Sequence, residues 1–140
     1  MTGARFFAAT LLFAACADPV GDAPAGVFFP TVPIGGDYPA ALFEGDLEID
    51  EGCLYLTDHG ERWLALWPEG YRDERDEGLI RVLDRAGEVV GVDGGSIRVG
   101  GGEGRPVEIG SVEAADHWAE GLTGGDIPER CGHLYWIVSP

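Results

Sequence analysis

From Leu42 to the C-terminus the apolar residues recur at every second position, and Gly, Asp and Pro cut this alternation into short stretches. A period of two is the mark of strands with one face buried, and it sharply limits what the chain can become. Phe43–Asp50 sets Leu47 and Ile49 on one face and acids on the other. Cys53–Thr57 and Glu61–Trp67 read as a hairpin across Asp58-His59-Gly60, with Pro68 as the stop. Tyr71–Gly78 reads as a charged loop. Leu79–Leu83, Glu88–Val92 and Ser96–Val99 read as a three-stranded meander, its first reversal a type I turn at Asp84-Arg85-Ala86-Gly87 with Gly in the left-handed position. Val107–Ile109 offers a further short strand and His133–Val138 a last one. The helical patch is Val112–Ala119, capped by Ser111 and ended at Gly121. Six to seven short strands with one helix predict a mainly β fold, a small antiparallel barrel of OB-like type or a sandwich.

The chain before Leu42 has a different character. Arg5 precedes the apolar run Phe6–Ala15, too short to span a bilayer and suited to a secretory signal. Leu12-Phe13-Ala14-Ala15-Cys16 resembles a bacterial lipobox, which implies a lipid on Cys16 as the mature N-terminus. Cleavage after Ala17, with simple secretion, is the competing expectation, since Ala15-Cys16-Ala17 also meets the small-x-small rule. Residues 16–41 hold five Pro and are expected to form a tether, with Val27-Phe28-Phe29 packing on the domain or pairing at a sheet edge. The expected organisation is therefore signal 1–15, anchor and tether 16–41, and one β domain 42–140.

Three cysteines are an odd number until Cys16 is given to lipid, which leaves Cys53 and Cys131 as a disulfide pair. A zinc site of Cys53, Cys131 and His133 is the weaker reading, because one short ligand spacing is present where zinc sites show two. The pair is expected to staple the first strand of the domain to the last and so close a barrel edge.

Charge narrows the partners. Against 25 Asp and Glu stand nine basic residues, all Arg, for a net charge of −16. Such a chain repels phosphate backbones, which excludes a nucleic-acid partner. Loss of Arg5 with the signal leaves 8 Arg against 25 acids, a net −17, so the membrane is expected to be met through the lipid alone. The absence of Lys and Asn fits a high-GC genome.

No motif names a reaction. Asp46, Glu48, Asp50 and Glu51 lie along a strand that cannot wrap a Ca²⁺ ion, and Arg72 and Arg75 interleave the acids of 73–77, so both groups read as solvated surface. Gly100–Gly104 lacks the Lys and the following helix of a phosphate loop. Ser96, Ser111 and Ser139 show no nucleophile-elbow spacing to His59, His117 or His133. No catalytic residue, metal or cofactor is assigned. Trp63, Trp67, Tyr71 and Trp136 form the expected contact surface, an aromatic platform for an envelope protein, a peptide or a saccharide, with core packing as the competing role. The expectation is a non-enzymatic, lipid-tethered extracytoplasmic module; the alternatives are a carboxylate-dependent envelope hydrolase and a purely structural surface module.

The segments Glu51-Gly52-Cys53-Leu54-Tyr55-Leu56, Leu66-Trp67-Pro68-Glu69-Gly70-Tyr71, Val82-Leu83-Asp84-Arg85-Ala86-Gly87-Glu88-Val89-Val90, Val99-Gly100-Gly101-Gly102-Glu103 and Ile127-Pro128-Glu129-Arg130-Cys131, in this order, resemble a pattern of small secreted or lipid-anchored proteins of high-GC bacteria. The resemblance covers about residues 42 to 138. It implies a fold and a compartment and brings no activity with it.

Overall fold

Three two-residue reversals, Glu51-Gly52, His59-Gly60 and Glu77-Gly78, set the strand order, each with both residues at positive φ. This is the type I′ turn, whose twist matches that of the strands it joins and whose second position favours Gly. The structure, a computed structural model, describes residues 26–104 and 111–140. Its strands are β1 (Thr31–Val32), β2 (Ala41–Asp50), β3 (Cys53–Asp58), β4 (Glu61–Pro68), β5 (Arg72–Asp76), β6 (Leu79–Leu83), β7 (Val89–Val92), β8 (Ser96–Glu103) and β9 (Tyr135–Val138), with one α-helix, α1 (Val112–Thr123), between β8 and β9.

β4, β3, β2, β8 and β9 pair in that order, and β9 returns to β4 in parallel, matching Leu64 to Tyr135 and Leu66 to Ile137. The circuit is a closed five-stranded barrel, the OB-like form expected from the sequence, with β1 added in parallel outside β4. β2 is long enough to pair with β8 through its first half and with β3 through its second. Closure needs glycines where strands crowd. A Cβ on Gly101, at φ +142, would collide with the Ile137 carbonyl, and one on Gly45 with the Thr57 carbonyl. The Gly-rich run is therefore mostly strand β8, spent on backbone contact.

β5, β6 and β7 form a separate three-stranded sheet. Here two expectations are corrected. The supposed charged loop contains β5, because Glu77-Gly78 turns the chain as tightly as Glu51-Gly52 does. The meander is β5-β6-β7, while β8 leaves it to join the barrel. The Asp84 turn is as expected: its carboxylate accepts from the Ala86 and Glu88 N–H groups, and Gly87 sits at φ +87. Val82 of this sheet packs into the barrel core, Tyr71 stacks on Trp67 at 6.1 Å, and Gly91 lies against Leu47 and Ile97. The small sheet thus plugs the barrel end opposite the His59-Gly60 turn.

Ser111 caps α1 as expected, accepting from the Ala114 N–H at 3.3 Å. The helix passes through Gly121 and ends at Gly124, which takes the left-handed conformation and bonds back to the Glu120 carbonyl. The expected strand at Val107–Ile109 lies outside the described residues, as do Cys16 and the signal segment 1–15.

Cys53 and Cys131 are bonded across 78 residues of sequence. The bond joins the start of β3, the second barrel strand, to the 3-10 turn Glu129–Cys131 before β9, rather than the first strand to the last. The expectation that Val27-Phe28-Phe29 packs on the domain or pairs at a sheet edge is met. Phe28 bridges Cys53 and donates its N–H to the Gly52 carbonyl at 2.7 Å, Phe29 stacks on Trp67 at 5.5 Å, and Val32 is buried. The last part of the expected tether therefore belongs to the fold.

Candidate functional site

Strand β4 decides where a ligand surface can be. Alternation sends Trp63, Ala65 and Trp67 to the inside of the barrel and Leu64 and Leu66 to the outside, yet all five are buried. Trp63 is 6% exposed, Trp67 0% and Trp136 7%, and Trp63, Trp136 and Phe43 pack edge to face with centroids 5.3 to 6.4 Å apart. Tyr71 is half-buried between Trp67 and the small sheet, its hydroxyl pKa raised by burial. The expected aromatic platform is thus corrected: a barrel this narrow has no other means of filling its interior, so its large rings go inward. Among the described residues the indole N–H groups of Trp63, Trp67 and Trp136 are buried without an acceptor.

In OB-like barrels the face of the second and third strands, here β3 and β4, is left open. In this chain α1, the 3-10 turn and β1 cover it. Tyr55, Leu64, Leu66 and Tyr135 pack there against Ala119, Ile127 and Val32, beside the disulfide. Polar groups under this cover find partners. The Tyr55 hydroxyl donates to the Arg130 carbonyl at 3.1 Å, and the Arg62 guanidinium lies 4.6 Å over its ring while bonding to Asp50 at 2.6 Å. The Tyr135 hydroxyl donates to Asp116 of α1, whose other oxygen meets His133 Nδ1 at 3.2 Å. Burial, then the bond to Asp116, pushes the Tyr135 pKa far above the usual phenol value.

His133 is the most unusual of these residues, half exposed and held at φ +143, where glycine is normally found. Its Nδ1 is turned to Asp116. The triad Tyr135-Asp116-His133 was not legible in the sequence, because 17 residues separate Asp116 from His133 and only the return of the chain from α1 to β9 joins them. Its visible work is to fasten α1 to β9. The zinc reading of Cys53, Cys131 and His133 falls, because both sulfurs are spent on each other. Among the described residues no cluster of three or more His, Cys, Asp or Glu side chains is placed to hold a metal ion.

One open groove, of about 350 Å³, lies at the β3–β4 turn. Its walls are Asp46 and Glu48 from β2, Thr57 and Asp58 from β3, His59-Gly60, and Glu61 and Arg62 from β4. Asp46 and Glu48 point outward because Leu47 points in. The groove offers carboxylates, a hydroxyl and an imidazole to a polar partner, and little apolar surface. No protein-family model, curated protein or solved structure matches this chain.

Proposed function

We propose that the chain is an extracytoplasmic domain tethered to a bacterial membrane through a lipid on Cys16, serving there as a non-enzymatic binding or envelope-associated module. The disulfide between Cys53 and Cys131 carries this reading. Such bonds form and persist in oxidising compartments, and this one accounts for every cysteine except Cys16. Cys16 closes a lipobox-like segment behind an apolar run of signal length. A net −17 on the mature chain disfavours direct contact with anionic headgroups and leaves attachment to the acyl chains. With the tryptophans inside and the outer face of β4 covered, the groove at the β3–β4 turn offers a mostly polar surface to an envelope protein, peptide or saccharide.

Mass spectrometry of the mature protein tests the anchor. The expected N-terminus is a diacylglyceryl-modified Cys16, and Cys16→Ser releases the protein from the membrane fraction. An unmodified chain beginning at Asp18 overturns lipidation and leaves secretion after Ala17.

A further inference from the structure

The lipid-anchor reading leaves open which end of the barrel meets the membrane, and the entry point of the chain answers it. We infer that the end plugged by the small sheet faces the lipid surface and that the His59-Gly60 turn forms the membrane-distal pole. This rests on Cys16 being the anchor.

Two observations carry the orientation. First, the chain reaches the fold at Phe28, pinned to Gly52 and Cys53, with Phe29 on Trp67, all at the plugged end. Eleven residues lie between Cys16 and Phe28, a leash of about 40 Å at full extension. Second, β3 runs from Cys53 to Asp58, away from that entry point, and carries its far turn about 17 Å further at the usual rise per residue. To press the far turn against lipid, the leash would have to double back along the barrel and spend that length.

The test uses the full lipidated chain in nanodiscs of phosphatidylethanolamine and phosphatidylglycerol doped with a gadolinium-chelating lipid. Paramagnetic broadening of backbone amides is read by NMR. The amides of Glu51 and Gly52 are expected to broaden several-fold more than those of His59 and Gly60. Equal broadening, or the reverse order, in a chain that is bound to the disc overturns the orientation while leaving the anchor standing. A chain that does not partition to the disc and carries an unmodified N-terminus overturns the anchor, and the orientation falls with it.

Discussion

The two faces of β4 are equally buried and are held in different ways. The inner face lies in a layer built from every barrel strand, closed by a hydrogen-bonded circuit, and filled with rings whose indole N–H groups have no acceptor among the described residues. The outer face lies under segments that belong to no part of the circuit, namely α1, a 3-10 turn and the entering chain, and its polar groups are paired. Volume secures the inner layer; cross-links and hydrogen bonds secure the outer one. A barrel can tolerate an orphaned N–H at its centre when the ring around it excludes water and contributes its area. A cover laid over a sheet from outside needs specific ties, because nothing else returns it to the same place.

The largest effect should come from the inner layer. Trp67→Ala removes a fully buried ring stacked on both Phe29 and Tyr71, and should cost about 3–5 kcal/mol in chemical denaturation. Survival of the variant with less than about 1 kcal/mol lost would mean that the inside is not held by volume.

Removing the disulfide by Cys53→Ala with Cys131→Ala should cost about 2–4 kcal/mol, below the ~4.5 kcal/mol that chain entropy assigns to a loop of this length. The comparison predicts where the loss appears. In hydrogen exchange, α1 amides should lose protection while β2 and β8 amides keep theirs; uniform loss would erase the distinction between the layers.

Tyr135→Phe breaks the tie to Asp116 and should cost about 1–2 kcal/mol, since Asp116 is partly exposed and regains water. It should also change the response to alkali. The unfolded tyrosine ionises near pH 10, while burial and Asp116 keep the folded hydroxyl protonated. Above about pH 10 the unfolded state thus binds fewer protons than the folded one, and stability must fall as pH rises. Tyr55, raised mainly by burial, adds to the same fall. Denaturation midpoints between pH 8 and 11 should drop more steeply in the wild type than in the Phe variant, and identical slopes would count against the bond. Smallest of all, Ser111→Ala removes the α1 cap and should cost about 1 kcal/mol.

Much of the barrel was legible because alternation is a local signal, as the hairpin at His59-Gly60 and the cap at Ser111 show. The strand β5 escaped because Arg72–Asp76 is charged at every position and therefore carries no alternation. Its turn, Glu77-Gly78, repeats the Glu-Gly of residues 51–52 and was the available clue. Its charge also suits its place, since an edge strand rich in like-sized charges resists pairing with another chain. The aromatic surface was misplaced for the opposite reason. Alternation puts Trp63 and Trp67 on one side and Leu64 and Leu66 on the other, and cannot say that both sides are covered. Only the fold of α1 over the outer face, some fifty residues later in the chain, makes that so.

The parallel pairing of β9 with β4 also orders events in time. As the chain emerges, β2, β3 and β4 can form their meander at once, since two-residue turns join them. Strand β4 must then wait for Leu64 to meet Tyr135, and Cys53 waits for Cys131. Contacts so distant along the chain form slowly. Until the last residues arrive, Leu64 and Leu66 face solvent on an open strand edge, the condition under which chains aggregate. Folding of this barrel is therefore completed from its C-terminal end, and a chain cut short before β9 would carry an intact hairpin and an unclosed seam.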